Sequence, residues 1–156
     1  MRSGKTIGPI LCVLLLSTSA FPQDRAEQAG QKKEGGKAKI LVHLTFGPEN
    51  PTRAALAFLV AKAALDEGHT VNMFLAGDAV QLLRDGVLDN LSGLGTGKLR
   101  EHYDAIVKGG GRFYVSGMSS RARAVTEADL KGKPAEFATP NVLVRLSLEH
   151  DRVFTY

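Results

Sequence analysis

The sequence predicts an α/β domain with a mainly parallel sheet over residues 38–156. Within that range, short apolar and β-branched runs alternate with segments of helical pattern. This alternation is typical of parallel strands that are joined through helices. The range holds 119 residues, which is enough for a single compact domain with one hydrophobic core.

The first strand and the first helix are marked by their ends. Residues 39–46 (KILVHLTF) form an apolar, β-branched run that ends at a Gly-Pro pair, so we predict a buried strand. Asn50 followed by Pro51 is typical of a helix start, with Asn as the cap and Pro at the first helical position. The predicted helix covers residues 52–67 and ends at a glycine.

The middle of this helix, residues 54–61 (AALAFLVA), is apolar on every side. A surface helix of a monomer would have a polar face, so this segment must be buried on more than one side. We therefore expect the helix to contact another subunit.

The next strand and two helices follow from composition and spacing. Residues 70–75 predict a second strand. Asp78, with Gln81 three positions later, resembles a capping box that opens a helix predicted to end at Leu91. A glycine-rich turn comes next, and a helix after it is predicted by the spacing of Leu99, Tyr103, Ile106 and Val107.

Three short strands are predicted in the second half, at residues 112–116, 135–138 and 153–156. Residues 119–124 predict a short helix, and residues 126–129 predict a further capped turn. Residues 141–149 alternate as a strand would, but the Thr-Pro pair before them favours a helix start. We predict a helix there.

The first 20 residues are predicted to be a cleaved signal peptide. Arg2 and Lys5 give a positive start, residues 10–16 form a short apolar run, and small residues lead up to Ala20. A membrane-spanning helix needs roughly 20 apolar residues, and this run is shorter. We expect no membrane anchor and a periplasmic or secreted protein.

Cys12 is the only cysteine of the chain, and it lies within this signal peptide. The mature protein is therefore expected to hold no thiol. This excludes disulfides, thiolate metal sites and cysteine catalysis. Attachment of a lipid to Cys12 is the alternative, but the bulky Leu11 directly before it disfavours lipidation.

Composition separates a linker from the domain. Residues 21–37 are rich in Gln, Glu, Lys and Gly without apolar periodicity, so we predict a disordered linker. The chain holds 20 Lys+Arg and 16 Asp+Glu, but residues 38–156 hold 14 and 13. A nearly neutral domain without a basic stripe lacks the positively charged surface that binds nucleic acid, so we expect no nucleic-acid partner.

Familiar catalytic and cofactor motifs are incomplete in this sequence. Residues 93–98 (GLGTGK) resemble a phosphate loop, but Leu99 stands where the motif needs Ser or Thr. The histidines do not pair at helical spacing, and His43 is interpreted as a core or interface side chain. Glu49 is interpreted as a solvated turn residue and Asp78 as a helix cap. The alternative is that the two carboxylates form a catalytic acid/base pair. We expect no catalytic residue, no metal and no cofactor.

The polar residues that follow the predicted strands are the candidates for ligand binding. In open α/β sheets, ligands bind beyond the carboxyl ends of the strands. Glycine, hydroxyls, a helix N-terminus and arginine favour a small anion there. The candidate residues are Gly47, Glu49, Asp78, Ser116, Gly117, Ser119, Ser120 and Arg121. The alternative is that Ser119 or Ser120 caps the helix and the arginines are solvated.

Three segments resemble the DsrE/DsrF-like family of small sulfur-relay proteins. They are residues 42–51 (VHLTFGPENP), 68–80 (GHTVNMFLAGDAV) and 111–119 (GRFYVSGMS), in the order and spacing of that family. The resemblance runs through residues 38–156, which is nearly the whole domain.

The resemblance implies a three-layer domain with a roughly five-stranded sheet that assembles into trimers or hexamers. It also implies a sulfur-carrying cysteine just after the third strand, in a Cys-Gly-x-Ser-like context. In this chain that position is Ser116. A hydroxyl cannot carry a persulfide, because sulfane sulfur must bond to a thiolate. The fold of the family carries over, and its carrier chemistry does not.

Three functions remain open from the sequence. The favoured one is an exported, non-catalytic oligomer that binds a small anionic or sulfur-containing ligand or a partner protein. The second is an accessory subunit of a sulfur-transfer system whose thiols lie on partner chains. The third is an enzyme that uses Ser116 or the carboxylates in an unrelated reaction.

Overall fold

A sheet of five parallel strands lies at the centre of the protein in the computed structural model, which describes residues 36–156. The five strands of this sheet are β1 (Lys39–Leu44), β2 (Thr70–Leu75), β5 (Arg112–Ser116), β6 (Ala135–Ala138) and β7 (Arg152–Thr155). Two further short strands, β3 (Ser92–Gly93) and β4 (Gly97–Lys98), pair only with each other. Across the sheet the order is β6-β5-β2-β1-β7, and each neighbouring pair is parallel. This confirms the predicted α/β class and the parallel sheet.

Helices connect the strands. They are α1 (Pro51–Asp66), α2 (Asp85–Asn90), α3 (Leu99–Lys108), α4 (Gly117–Ala122), α5 (Glu127–Leu130) and α6 (Pro140–Glu149), with a 3-10 helix over Gly77–Leu83. The predicted signal peptide (1–20) lies outside the described residues, as does all of the predicted linker (21–37) except its last two residues.

One face of the sheet carries the main hydrophobic core. Val42 and Leu44 on β1 pair with Met73 and Leu75 on β2, and all four are fully buried. Helices α1 and α3 belong to the same core, in which Phe58 of α1 stacks on a strand phenylalanine. The alternation of side chains along the strands is what places these residues on a single face.

The apolar character of α1 is explained in part by packing within one chain. Its buried residues are Ala54, Ala55, Ala57, Phe58, Ala61 and Ala64. The helix packs against β1 and β2 and also against α3 and β3. A Cβ on Gly93 of β3 would lie 2.9 Å from the Cβ of Ala55, so the small residues allow a close approach. Leu56 of the same helix is 37 % exposed, so the chain's own packing accounts for only part of the apolar pattern, and the expected subunit contact remains a prediction.

The opposite face of the sheet is covered by α6. Leu146 of α6 packs with Leu41 of β1 and Phe74 of β2 in a second, smaller core. The same helix leaves Val144 60 % and Leu148 83 % exposed. The sheet has helices on both faces, which confirms the predicted three-layer architecture. The face under α6 carries the smaller of the two hydrophobic cores.

Two predicted helix starts are confirmed. The side chain of Asn50 accepts a hydrogen bond from the backbone N–H of Arg53 over 3.2 Å, and Pro51 begins α1. Pro140 likewise begins α6, so the alternating residues after it form a helix and not a strand. Proline tolerates the first helical position because its missing N–H would have no partner there.

The predicted continuous helix from Asp78 to Leu91 is wrong. The chain forms a 3-10 helix, becomes extended at Arg84 (φ −67°, ψ 131°), and then forms the short helix α2. The capping box is also wrong, because the cap residue is Ala76 and no side chain caps the helix. The carboxylate of Asp78 instead pairs with Arg123, a partner distant in the sequence.

The glycine-rich segment 93–98 connects two helices, as predicted, through the small antiparallel hairpin β3-β4. Gly95 (φ 74°) and Gly97 (φ 81°) adopt the left-handed conformation that the tight turn needs. Within residues 36–156, no helix has the length and apolar character needed to span a bilayer.

Candidate functional site

The carboxyl ends of β1, β2 and β5 meet at one edge of the sheet. The backbone N–H of Gly77, after β2, donates to the hydroxyl of Ser119 over 3.0 Å. The N–H of Ala79 donates to the carbonyl of Thr45, after β1, over 3.2 Å. The three chain segments that the sequence singled out are therefore in direct contact.

Gly47 and Asp78 are packed backbone to backbone at this edge. A Cβ on Gly47 would lie only 2.2 Å from the carbonyl oxygen of Asp78, so glycine alone fits. The N–H of Gly47 donates to Oε1 of Glu49 over 2.8 Å. Glu49 is exposed and accepts a hydrogen bond within its own turn, in agreement with its interpretation as a solvated turn residue.

Asp78 is tied to Arg123. Nε of Arg123 donates to Oδ1 of Asp78 over 2.7 Å. This hydrogen bond is the main cause that lowers the pKa of Asp78 below its ordinary value. Desolvation opposes it, and the charge of Arg123 adds a weaker lowering effect. A carboxylate held ionised in this way is a poor proton donor. The alternative of a Glu49–Asp78 acid/base pair therefore has little support from the geometry.

Ser116 ends β5 and caps α4. Its hydroxyl accepts a hydrogen bond from the N–H of Ser119 over a long 3.4 Å. The prediction that the helix begins at Ser119, with Ser119 or Ser120 as cap, is wrong by two residues, because α4 begins at Gly117. Within the described part of the chain, no histidine or carboxylate hydrogen-bonds the Ser116 hydroxyl, so no general base activates it there.

Helix α4 divides the candidate residues between two places. Ser119 and Arg123, four positions apart, face the turn after β2. Another face carries Gly117, Ser120 and Arg121, at the spacing i, i+3 and i+4, and Ala124 lies beside them two residues after the helix ends.

This second face lines a pocket of about 400 Å³, which Val125, Thr126 and Phe137 complete. We refer to it as the α4–β6 pocket, since Phe137 belongs to β6. The eight predicted residues thus do not form one site. Gly47, Glu49, Asp78 and Ser119 lie at the strand-end contact, Ser116 caps the helix between the two places, and Gly117, Ser120 and Arg121 line the pocket.

Arg84 fixes the loop that forms one wall of the pocket. Its guanidinium donates to the carbonyls of Arg123 over 2.8 Å and of Ala124 over 2.7 Å. Ala124 has φ 52°, a left-handed conformation that is unfavourable for alanine. Sequence reasoning missed Arg84, Val125 and Phe137, because no local motif marks an arginine that binds carbonyls some 40 positions away.

Ser120 and Arg121 have unused polar groups. Ser120 is 1 % exposed, and its hydroxyl finds no hydrogen-bond partner among residues 36–156. Arg121 is exposed and forms no ion pair with a described residue. A buried hydroxyl without a partner is costly and uncommon in folded proteins, so Ser120 calls for an explanation.

His43 lies on the face of the sheet that α6 covers. It is half-buried, and its ring meets the ring of Phe74 edge to face with centroids 5.9 Å apart. Burial lowers the pKa of His43, which favours the neutral ring. Over residues 36–156, no three metal-ligating side chains lie close enough together to hold an ion.

The family model described as the DsrE/DsrF-like family matches residues 38–156. No curated protein sequence matches the chain. Among solved structures, the YchN protein from E. coli is similar with a TM-score of 0.63 and 17 % identity, over 76 % of this chain and 99 % of that one. BT1422 from Bacteroides thetaiotaomicron, titled a conserved protein of unknown function, gives a TM-score of 0.55 and 11 % identity, over 76 % and 95 %. At these identities the structures show a shared fold.

Proposed function

Since the chain belongs to the DsrE/DsrF-like family, we propose that it is an exported, oligomeric member that binds a small ligand non-covalently and does not carry sulfur. The observation that carries this proposal is the position of Ser116. It ends β5 where the family resemblance implies a cysteine, and its hydroxyl serves as the cap of α4.

The chemistry of sulfur transfer supports the proposal. A carrier stores sulfane sulfur as a persulfide, which requires a thiolate, and an alcohol forms no such bond. The one cysteine of the chain is Cys12, inside the predicted signal peptide. A mature chain that begins near Phe21 would have no residue able to hold the sulfur.

Catalysis by Ser116 is a weaker alternative. A nucleophilic serine needs a base within hydrogen-bond reach, and the hydroxyl of Ser116 contacts a backbone N–H instead. The nearby carboxylate of Asp78 is engaged by Arg123. An accessory role, with the thiols on a partner chain, agrees with the same geometry and is separated from the proposal by experiment.

Self-association is proposed from the surface of α6 and β7. Val144 and Leu148 of α6 and Val153 and Phe154 of β7 are large apolar side chains left 41 to 83 % exposed. Strand β7 is also an edge of the sheet. Val153 lies on the face of the sheet that α6 covers, and Phe154 lies on the other face. Exposed apolar side chains near an edge strand are a common contact between subunits. A trimer or hexamer is the assembly that the family resemblance implies.

A persulfide-loading assay tests the proposal. The chain is prepared from Phe21 onward, treated with a small persulfide donor, and its mass is measured under non-reducing conditions. We expect no gain of sulfur by the wild type and a gain of one sulfur by Ser116→Cys. Ser92→Cys, at an exposed position of the β3 strand, is the matched thiol control. Sulfur loading of the wild type would contradict the proposal.

The accessory alternative is tested by adding a partner. If a persulfide-bearing protein is purified together with this chain from its native source, and its sulfur transfer stops when the chain is removed, the accessory role is the correct one. If the chain alone holds a small molecule, the binding role is supported.

A further inference from the structure

We propose that the α4–β6 pocket binds a small organic anion with an apolar body, such as a medium-chain carboxylate. This inference rests on the proposed binding function and specifies its site and its class of ligand. Three features of the pocket carry it: its size and apolar wall, the unpaired hydroxyl of Ser120, and the unpaired charge of Arg121.

The pocket has the dimensions and lining of a small-molecule site. Its volume of about 400 Å³ lies within the roughly 300–1,000 Å³ of known ligand pockets. Val125 is 5 % exposed and joins the main core, and Phe137 packs against that core from β6. Phe137 is half-buried, so its exposed part offers an apolar surface to the body of a ligand.

Ser120 supplies a polar group in this apolar lining. It lines the pocket together with Gly117 and Arg121, its neighbours on the same face of α4, so it belongs to the pocket side of the helix. Helical serines often donate to the carbonyl four residues earlier, but the hydroxyl of Ser120 makes no hydrogen bond within residues 36–156. The hydroxyl is itself buried, so a change of side-chain rotamer brings it to the pocket, where a ligand oxygen accepts its hydrogen bond.

The charges around the pocket favour an anion. Arg84 lies 3.7 Å from the carboxylate of Asp129, and Arg123 lies 2.7 Å from that of Asp78. Arg121 has no carboxylate partner in the described part of the chain, and its guanidinium can form paired hydrogen bonds to a carboxylate. Arg121 is therefore the lining side chain that is able to pair with an anion.

The wall of the pocket is held in place before any ligand arrives. The two hydrogen bonds from Arg84 hold the carbonyls of Arg123 and Ala124 and keep Ala124 in its unfavourable left-handed conformation. Residues held in such conformations by their surroundings are often found at ligand sites. A preformed pocket binds without the cost of ordering a loop.

Octanoate is the probe for the first experiment, titrated into isotope-labelled protein that contains residues 21–156, with the backbone amides followed by NMR. We expect saturable shifts at the amides of Val125, Thr126 and Phe137, with affinity in the millimolar to high-micromolar range. Octylamine, which has the same chain and the opposite charge, is expected to bind more weakly.

Ser120→Ala separates a ligand contact from a structural one. We expect octanoate affinity to fall about fivefold, the value of one hydrogen bond, while the melting temperature of the free protein stays equal or rises. Ser147→Ala is the matched control, since Ser147 is a helical serine that bonds to the carbonyl of Leu143 on α6. Its affinity for octanoate should equal that of the wild type.

Arg121→Gln tests the charge. We expect octanoate affinity to fall about threefold and the preference over octylamine to disappear, with partial recovery in Arg121→Lys. Arg112→Gln, at the opposite end of β5, should change neither.

The inference is overturned if octanoate causes no saturable shifts, if octylamine binds equally well, or if Ser120→Ala binds octanoate as the wild type does. Shifts confined to Gly47 and Asp78 would place binding at the strand-end contact, which overturns this pocket and leaves the proposed function standing. The persulfide-loading result is measured separately and decides the proposed function by itself.

Discussion

Nε of Arg123 donates a hydrogen bond to Oδ1 of Asp78 over 2.7 Å, and this contact joins the end of α4 to the turn after β2. The sequence pattern at Asp78 favours a helix cap, but the carboxylate is used in this long-range ion pair. Because Ser119 on the same face of α4 binds Gly77, the strand-end contact holds one side of the helix. The opposite side is left to line the α4–β6 pocket.

Asp78→Asn should alter the dependence of stability on acid. The hydrogen bond and charge of Arg123 lower the folded-state pKa of Asp78, so its contribution is present above the ordinary pKa of about 4 and is lost as the pH falls through the lowered value. We expect the variant to be less stable at pH 7, with the difference from wild type shrinking below about pH 4. Urea unfolding at several pH values measures this. Glu136→Gln, at an exposed position of β6, is the control, and a difference that is constant with pH would contradict the prediction.

Gly47→Ala should be strongly destabilising. Its Cβ would lie 2.2 Å from the carbonyl oxygen of Asp78, and because that atom is backbone the strand ends must move apart. We expect a loss of at least about 2 kcal/mol in the free energy of unfolding. Gly86→Ala is the matched control, since Gly86 lies in α2 with no atom within 4 Å of its added Cβ. The control should gain up to about 1 kcal/mol, and equal effects in both variants would show that the close contact is absent.

Ala124→Gly should relieve backbone strain in the pocket wall. Ala124 has φ 52°, where glycine has no steric penalty, so we expect the free energy of unfolding to be unchanged or to rise by up to about 1 kcal/mol. The same change at the exposed Ala122, the last residue of α4, should lower it by about as much. Chemical denaturation of both variants tests this. A clear loss of stability in Ala124→Gly would mean that the left-handed conformation is not present.

Leu148→Lys should weaken self-association. Leu148 is 83 % exposed on α6, and a charge there would have to be desolvated on contact with a second copy. We expect smaller species than the wild type in sedimentation velocity at micromolar concentration. Leu94→Lys, at an 89 % exposed position of the hairpin β3-β4, is the control and should sediment as the wild type does. A wild type that is already monomeric would contradict the proposed assembly.

Much of the fold follows from local sequence. Strands β2 and β5 have the predicted boundaries, because apolar β-branched runs bounded by glycine leave few alternatives. The start of α1 is set by Asn50 and Pro51 in the same local way. The break between the 3-10 helix and α2 at Arg84 could not be predicted from local sequence. Its guanidinium binds carbonyls 39 and 40 positions away, and no local pattern marks such a contact.

The candidate site was predicted less completely, for a physical reason. The helical period places Ser119 and Ser120 on different faces of α4, and that division is readable from sequence. What each face meets depends on the order of the strands, because β2 and β6 lie on the two sides of β5. The hydroxyl of Ser119 thus gains a partner in Gly77, and that of Ser120 gains none among the described residues.

Native mass spectrometry of the protein from a bacterial periplasm tests the central claim most directly, because it reports the chain start, the assembly and any bound mass together. The full chain is expressed, and the exported product is compared before and after collisional activation. We expect an oligomer whose subunits begin within a few residues of Phe21, which releases a small molecule on activation and leaves the chain mass unmodified. A subunit that begins at Met1, or one that carries covalently bound sulfur and releases no small molecule, would contradict the account.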